Sequence, residues 1–504
     1  MTDVRLLREV AIPLRDGTVT RAEVWLPEGA YPGRDGAPGR DSARPGPAIL
    51  IRTPYLKEDA APQPITDARL ATERGYAMVV QDVRGRGSSE GEFEPFVHEE
   101  RDGADSVEWV AGQPWCDGRV VMAGMSYVGA TQWLAAAAAP PALRGIAPTL
   151  SSDDFAEGWS YSSGVPELGF LASWSAADLP PFEQRWYDDP LRGCDDPDAL
   201  AEIAPWSAEW LRERAGSGYW RERSVAHRRD DVQVPVLAIG GWYDVFCDAT
   251  IRSFARSRHP HDRLIVGPWG HDADLDHLVG HASLGFAGSG TAEPLFPKML
   301  DFYDAAVEER EPALPRVSVY VLGARRWVAL DEWPPPAASS VSIPLEPAEL
   351  PVDPADPAPT LGGRGLLIKV PGSGWGVRDQ RPLAARRDVA VAASHSEPEG
   401  RWLAGPVSAT LRTEARPGAT WAVTLCLEQS DGALHNLTEG VALDDGSGTA
   451  VVDLGDVCAA VDAGQPMVAL VAGSSFPRWP RPQAGTTQRL LEGSTLELTA
   501  TGLP

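Results

Sequence analysis

The sequence predicts an α/β fold followed by a β-rich unit. In the first part of the chain, short apolar runs of buried-strand type, such as residues 48–51 and 77–80, alternate with helical patterns. Beyond about residue 314, helical patterns nearly vanish and turn residues separate short alternating segments. The first pattern is typical of a parallel sheet covered on both faces, and the second is typical of an antiparallel β-sandwich or jelly roll.

The predicted sheet domain comprises residues 1–151 and 233–313. Strands and helices alternate there because successive parallel strands are joined by crossover connections. In chain order, the sequence predicts strands at 48–51 and 77–80, a helix at 101–112, a strand at 120–123, a helix at 130–139, strands at 145–149 and 234–240, a helix at 251–256, a strand at 264–267 and a helix at 295–307.

Residues 152–232 interrupt this alternation. They are rich in Trp, Ser, Pro and Glu, with helical stretches and no convincing strand. An insertion at this point lies over the carboxyl ends of the sheet strands, where such folds bind ligands. We therefore predict a helical cap.

The β-rich unit comprises residues 314–504, and we predict that it is a jelly-roll β-sandwich. A proline-rich stretch, residues 334–359, separates its first two strands from the rest. The predicted strands lie at 317–322, 327–330, 366–370, 407–412, 420–427, 450–454, 467–472 and 494–500.

Composition narrows the classes of function. The formal net charge is −26, and so acidic a surface repels phosphate backbones, which argues against nucleic-acid binding. The apolar runs are shorter than about ten residues, whereas a helix that spans a bilayer needs about 20, so no membrane association is expected. The amino terminus lacks a signal-peptide layout, and the five cysteines are scattered. We expect a cytoplasmic protein without disulfides, metal or cofactor.

The strongest functional signal is Gly-Met-Ser-Tyr-Val-Gly at residues 124–129, between an apolar strand and an alanine-rich helix. This is the pattern of a nucleophile elbow, a sharp turn that lifts one serine hydroxyl above the sheet. Side chains at Gly124 and Gly129 would collide with the neighbouring strand and helix. The pattern predicts Ser126 as a nucleophile.

A serine hydroxyl needs a base within hydrogen-bond reach and a carboxylate that orients the base. His271 follows the strand 264–270, and Asp244 has the same placement after the strand 236–239. The other histidines lack it. The chain order Ser126, Asp244, His271 is that of α/β-hydrolases, so we predict an α/β-hydrolase core with this triad.

Acyl transfer also requires donors to the oxyanion. The backbone N–H of Tyr127, which follows the nucleophile, is one candidate. The loop after the strand 48–51 reads Arg-Thr-Pro-Tyr at residues 52–55 and lacks a His-Gly-Gly-Gly motif. The Tyr55 phenol is the candidate for the second donor, and the alternative is a tyrosine packed under the loop.

Residues 82–91 read Asp-Val-Arg-Gly-Arg-Gly-Ser-Ser-Glu-Gly. Glycines beside a strand can bind phosphate, but no helix begins here and the composition is that of a turn. We interpret the segment as a structural loop, with Asp82 and Arg84 forming an internal ion pair.

Together, these motifs resemble the X-Pro dipeptidyl-peptidase and cocaine esterase family of serine hydrolases. The resemblance covers nearly the whole chain and rests on residues 52–55, 82–91, 124–129, 241–244 and 267–271, with a further motif, Ser-Phe-Pro-Arg, at 475–478. It implies an α/β-hydrolase core, a helical cap and a carboxyl-terminal jelly roll. It also implies the triad above and an oxyanion hole formed by Tyr55 and the Tyr127 N–H.

Residues 126–133 look most similar to the cocaine esterase branch of that family. This resemblance implies that Trp159, Trp174 and Phe246 wall an acyl pocket suited to an aromatic or bulky apolar group. The alternative is ordinary packing of the cap against the core. Val245 and the segment 56–66 depart from the branch, so the substrate is not carried over.

We predict a serine carboxylesterase that acts on a small-molecule ester or amide through an acyl-enzyme. One alternative is an X-Pro dipeptidyl peptidase or an acylase for amino-acid esters or β-lactam-type amides. The peptidase needs a carboxylate site for a free amino terminus, for which Asp153, Asp154 and Glu157 are candidates. Another is a binding module with an inert core, although an intact triad argues against it. The family resemblance suggests a homodimer.

Overall fold

The computed structural model describes residues 4–27, 45–58, 65–175, 197–202, 204–271, 275–336, 339–365, 374–414, 416–483 and 485–501. The prediction of a strand at 366–370 falls outside these residues. Among the helices of the described segments, none is long and apolar enough to cross a membrane.

A ten-stranded sheet forms the centre of the molecule. Its seven middle strands are mutually parallel, and antiparallel strands extend both edges. In spatial order, the strands are Arg5–Pro13, Val19–Leu26, Ala77–Asp82, Gly46–Thr53, Cys116–Met125, Leu143–Thr149, Leu237–Tyr243, Arg263–Gly270, Val317–Val321 and Arg326–Leu330. The predicted α/β-hydrolase sheet is confirmed.

Helices cover both faces of this sheet, because its strands place apolar side chains alternately on either side. One face packs beneath Ala68–Glu73 and Leu295–Val307, and the other beneath Glu99–Ala111, Tyr127–Ala137 and Cys247–Ala255. Consecutive residues of one strand therefore belong to different cores: Val121 packs with the first group and Met122 with the second.

The structure changes one predicted boundary. The strands Val317–Val321 and Arg326–Leu330, which we assigned to the β-rich unit, extend the central sheet instead. The first of them pairs in parallel with Arg263–Gly270, and the second returns beside it as a hairpin. Our assignment of these two strands was wrong because the alternation of a short segment predicts a strand but does not indicate which sheet the strand joins.

The described part of the cap, residues 152–175, 197–202 and 204–232, is mostly helical, as predicted. Its helices are short, and one small hairpin, Tyr161–Ser162 with Val165–Pro166, is a strand pair that the composition did not reveal. The described helices are Leu168–Ser173, Pro197–Ala201, Pro205–Arg212 and Gly218–Arg223, followed by the 3₁₀ turn Ala226–Asp231.

The β-rich region is built on one eight-stranded antiparallel sheet. The sheet curls until its edge strands approach, and the Glu346 N–H donates to the Ala392 carbonyl across the gap at 2.7 Å. In spatial order, its strands are Ser339–Leu345, Ser494–Thr501, Arg401–Arg412, Thr449–Val461, Leu434–Leu443, Thr420–Glu428, Pro466–Ala472 and Val389–Ser396.

Smaller elements complete the fold. The strands Ala348–Val352 and Thr486–Leu490 pair beside the large sheet, and Leu278–Val279 pairs with Ala282–Ser283. The remaining described helices are the 3₁₀ turn Phe286–Gly288 and the short helix Arg381–Ala384.

Candidate active site

The predicted elbow is present at Ser126. This residue lies between the strand Cys116–Met125 and the helix Tyr127–Ala137. It has φ 62° and ψ −126°, a conformation that residues other than glycine rarely adopt. A Cβ on Gly124 would collide with Val128, and a Cβ on Gly129 would collide with Ser151. Only glycine allows the strand and the helix to approach this closely.

Ser126, His271 and Asp244 meet at the carboxyl ends of three parallel strands of the central sheet. His271 Nε2 lies 3.0 Å from Ser126 Oγ, and His271 Nδ1 lies 2.5 Å from Asp244 Oδ2. The other Asp244 oxygen accepts a hydrogen bond from the Phe246 N–H at 2.8 Å. Asp244 is fully buried, whereas Ser126 and His271 are 5% and 9% exposed. The carboxylate is thus held in place on the side of the imidazole away from the serine.

One candidate oxyanion donor, the Tyr127 N–H, directly follows the nucleophile, and the other, the Tyr55 hydroxyl, contacts Trp174. Tyr127 is the first residue of its helix, where backbone N–H groups have no partner within the helix. The Tyr55 hydroxyl accepts a hydrogen bond from Trp174 Nε1 at 2.9 Å. Indole N–H is only a donor, so the Tyr55 proton is not used in this contact.

Of the three aromatic residues expected to wall the acyl pocket, Trp159 contacts the other two. Trp159 stacks on Phe246 with ring centroids 4.7 Å apart and meets Trp174 edge-to-face at 5.6 Å. Phe246 meets the His271 ring edge-to-face at 5.3 Å, and Trp174 stacks on Tyr127 at 5.7 Å. The cluster therefore touches both the imidazole and the residue after the nucleophile.

A buried ion pair supports the Tyr127 side chain, and sequence analysis missed it. Arg52 and Glu99 are both buried, and Arg52 Nη1 lies 2.9 Å from Glu99 Oε2. The Tyr127 hydroxyl donates to Glu99 Oε1 at 3.1 Å and accepts from the Phe96 N–H. Burial raises the pKa of Glu99, against the lowering effect of Arg52, and raises the pKa of Tyr127 well above its usual value. The only indication of this ion pair in the sequence was that Arg52 belongs to the 52–55 motif.

The segment 82–91 is a loop, as interpreted, but its ion pairs differ from our prediction. Asp82 accepts from Lys57 Nζ at 3.0 Å and from the Lys57 N–H at 2.7 Å. Arg84 instead forms a two-bond contact with Asp102, both bonds at 2.8 Å, and pairs with Asp16. The prediction was wrong because Lys57 and Asp102, which are distant in sequence, approach these two side chains only in the folded chain.

The three acidic cap residues named as candidates for binding an amino group have other partners. Asp153 is buried and lies 2.6 Å from Arg256. Asp154 accepts from the backbone N–H two residues further on, and Glu157 accepts from the Gly164 N–H at 2.7 Å. Burial raises the pKa of both Asp153 and Glu157. Asp154 and Glu157 are thus bonded within the cap, and Asp153 is paired with an arginine of the core.

The described part of the chain shows no group of His, Cys, Asp and Glu side chains that could hold a metal ion. Its four cysteines, Cys116, Cys247, Cys426 and Cys458, are buried free thiols. Burial raises the pKa of all four, so none has the lowered pKa of a reactive thiolate.

Comparisons with known proteins identify a family and relatives of this chain. The family model of X-Pro dipeptidyl-peptidase (S15 family) matches residues 16–273, just over half of the chain, and this range contains Ser126, Asp244 and His271. The cocaine esterase of Rhodococcus sp. (strain MB1 Bresler) is 29% identical over 455 residues, which are 80% of this chain and 76% of the esterase.

Two solved structures share the whole architecture. An α-amino acid ester hydrolase superposes with a TM-score of 0.79 at 20% identity, covering 99% of this chain and 97% of its own. An aminopeptidase from the marine sediment archaeon Thaumarchaeota archaeon has the same TM-score and coverage at 21% identity. These likenesses establish the fold.

Proposed function

Because the chain belongs to the X-Pro dipeptidyl-peptidase (S15) family, we propose that it is a serine hydrolase that cleaves a carboxylic ester through an acyl-enzyme intermediate. The observation that carries this proposal is the contact of His271 with both Ser126 and Asp244, at 3.0 and 2.5 Å. The 29% identity to a cocaine esterase supports an ester as the substrate class.

The residues divide the reaction as follows. His271 Nε2 takes the Ser126 proton as Oγ attacks the ester carbonyl, and Asp244 stabilises the imidazolium that forms. Collapse of the tetrahedral intermediate breaks the bond to the alkoxy oxygen, which leaves as the alcohol with the proton from His271. Water, deprotonated by the same imidazole, then attacks the acyl-enzyme and releases the acid and Ser126.

We assign the oxyanion hole to the Tyr127 N–H and the Tyr55 hydroxyl. The Tyr127 amide lies at the positive end of a helix, which favours a developing negative charge. Trp174 donates to the Tyr55 oxygen, which polarises the hydroxyl and leaves its proton to point away from the indole. The Tyr127 N–H and the Tyr55 hydroxyl can therefore both donate hydrogen bonds to the negatively charged oxygen of the tetrahedral intermediate.

We propose that Trp159, Trp174 and Phe246 contact the acyl group. The contact of Phe246 with His271 supports this role, because a group bound to Ser126 lies within a few ångströms of that imidazole. Rigid aromatic walls favour an aromatic or bulky apolar acyl group. The internal bonds of Asp153, Asp154 and Glu157 argue against a peptidase that recognises a free amino terminus through them.

We also propose that the enzyme acts in the cytoplasm as a homodimer without a metal or cofactor. The buried free thiols support a reducing compartment, since none of the four cysteines among the described residues forms a disulfide. The dimer rests on the family resemblance alone, and light scattering of the purified protein tests it.

The experiment that tests the function compares wild type with Ser126→Ala on a matched panel. The panel holds p-nitrophenyl acetate, butyrate and benzoate beside the p-nitroanilides of Gly-Pro and Ala-Pro. We expect turnover of the esters, preference for benzoate, and a loss of about 10³-fold or more in Ser126→Ala. Cleavage of the anilides in place of the esters would show a peptidase, and equal rates for the two proteins would exclude the triad.

A further inference from the structure

A buried ion pair joins the β-rich region to the cap. Arg478 Nε lies 3.2 and 3.1 Å from the two carboxylate oxygens of Glu167, and its Nη2 lies 3.0 Å from Oε1. Both residues are at most 5% exposed. The Glu167 carboxylate also accepts from Trp479 Nε1 at 3.2 Å and from Ser162 Oγ at 2.5 Å. The carboxylate is therefore fixed from both sides.

The same contact holds the start of a cap helix. Glu167 is the N-cap residue of the helix Leu168–Ser173, and the Gly169 N–H in its first turn donates to the Arg478 carbonyl at 3.2 Å. This N–H is one that the helix cannot satisfy internally. Main chain and side chain of Arg478 thus position the helix together.

The helix ends at Trp174, which belongs to the active site. Trp174 is its C-cap residue, stacks on Tyr127 and donates to the Tyr55 hydroxyl at 2.9 Å. The helix is only six residues long, so a shift at its start is transmitted to its end. A short, continuous path therefore runs from Arg478 to the candidate oxyanion donor.

A second arginine of the β-rich region holds the other side of the site. Arg364 Nε donates to the Trp242 carbonyl at 3.0 Å, two residues before Asp244, and its Nη1 lies 2.7 Å from Asp248. Glu439 links the two arginines, because its Oε1 accepts from the Arg364 N–H at 2.7 Å and from Arg478 Nη1.

We propose that Arg478 and Glu167 are a positioning pair, through which the β-rich region sets the place of Trp174 and thereby of the Tyr55 hydroxyl. The proposal rests on the proposed function, since it takes Tyr55 as an oxyanion donor. It gives the β-rich region a part in the reaction that needs no contact with substrate. The planar guanidinium is suited to the task, because its paired donors fix direction as well as distance.

The experiment is a double-mutant cycle of Glu167→Gln and Tyr55→Phe, with kcat measured on p-nitrophenyl butyrate. Glutamine keeps an oxygen for Trp479 and Ser162 but loses the charge that Arg478 requires. We expect Glu167→Gln to lower kcat about 10-fold or more in wild type, because small misplacements of catalytic groups cost this much or more. In the Tyr55→Phe background, the same change should cost less than about twofold, because the hydroxyl it positions is gone.

A purely structural role gives a different result. If Glu167→Gln only reduced the fraction of folded protein, kcat would fall by the same factor in both backgrounds, and the proposal would be overturned. An unchanged kcat in the wild-type background overturns it as well. If Glu167→Gln does not fold, Arg478→Lys replaces it in the cycle with the same expectations, since lysine keeps the charge and loses the paired geometry.

Two controls separate this proposal from the proposed function. Asp388→Asn removes a carboxylate that pairs with Arg386 at 2.8 Å within the β-rich region, and we expect it to leave kcat unchanged in both backgrounds. Ser126→Ala reports on the hydrolase itself. An inactive Ser126→Ala together with identical costs of Glu167→Gln in both backgrounds would reject the positioning pair alone, whereas a fully active Ser126→Ala would reject the function.

Discussion

The parallel core and the β-rich region bury their strands differently. Leu237–Tyr243 and Arg263–Gly270 are buried at every position, because helices or other strands cover both faces of the central sheet. In the β-rich region, the strand Ser494–Thr501 alternates buried and partly exposed residues along its whole length. A strand buried on both faces has no room for a reactive polar group until it ends.

This difference bears on where we propose that the reaction takes place. Ser126, Asp244 and His271 all follow directly on buried parallel strands, whose carboxyl ends meet at one edge of the sheet. The β-rich region instead contributes Arg364 and Arg478 from connecting segments, and both reach the site only through other residues. We therefore expect substitutions in the core to change the reaction directly. Substitutions in the β-rich region should change stability or the positions of the residues that react.

The largest expected effect is that of Asp244→Asn. The amide cannot stabilise the imidazolium and favours the wrong tautomer of His271, so kcat should fall about 10⁴-fold. Ester hydrolysis followed at 405 nm, with Asp388→Asn as the β-rich counterpart, measures this. An equal loss in Asp388→Asn would break the comparison between the two regions.

Tyr55→Phe should have the next largest effect. It removes the hydroxyl and keeps the ring, so we expect a loss of about 10²–10³-fold in kcat with little change in thermal stability. Steady-state kinetics and a melting curve of the same preparation report the two quantities. A wild-type kcat would mean that Tyr55 only packs under its loop.

In the β-rich region, Asp456→Asn should change stability and its dependence on pH. Burial raises the pKa of Asp456 to about 6, from 3.8 for an unperturbed carboxyl. Between these values the folded state binds more protons than the unfolded state, so this group destabilises the fold at high pH and less so as pH falls. The Trp333 indole, 3.0 Å from Asp456 Oδ1, can donate equally to asparagine.

Asp456→Asn should therefore be more stable than wild type at pH 8, by up to about 3 kcal/mol. The gain should shrink below pH 6 and vanish near pH 4, with ester hydrolysis unchanged throughout. Urea denaturation at these three pH values measures it. A gain that is independent of pH would contradict the raised pKa.

Phe246→Leu should have the smallest effect, and it concerns selectivity. Leucine fills part of the space but loses the flat ring beside Trp159 and His271. We expect the ratio of kcat/KM for benzoate to that for acetate to fall roughly 10-fold. If both esters lose equally, Phe246 supports His271 and does not contact the acyl group.

The sequence predicted what local patterns determine. A buried strand, the glycines of an elbow and a polar residue directly after a strand can each be recognised from a few consecutive residues. These local patterns identified Ser126, Asp244 and His271. Their approach in space then followed from a general rule of parallel sheets. The contacts themselves were available only from the structure.

Partners that are distant in sequence cannot be recognised from such local patterns. Glu167 and Arg478 are 311 residues apart, and the sequence around either residue does not indicate that the two form an ion pair. Arg478 belongs to the 475–478 motif of the family resemblance. Such a motif indicates that a residue has a role but does not identify the residues that it contacts. The wrong pairing of Asp82 with Arg84 has the same cause, since Lys57 and Asp102 approach them only in the folded chain.

The central claim is that Ser126 carries the acyl group, and labelling with a fluorophosphonate tests it most directly. The reagent should add one phosphonyl group per chain, located on Ser126 by peptide mass spectrometry, with ester hydrolysis lost in proportion. His271→Ala should prevent the labelling, because the hydroxyl then lacks its base. An unlabelled Ser126 in protein that still hydrolyses esters, or a label on another residue that abolishes activity, would contradict the account.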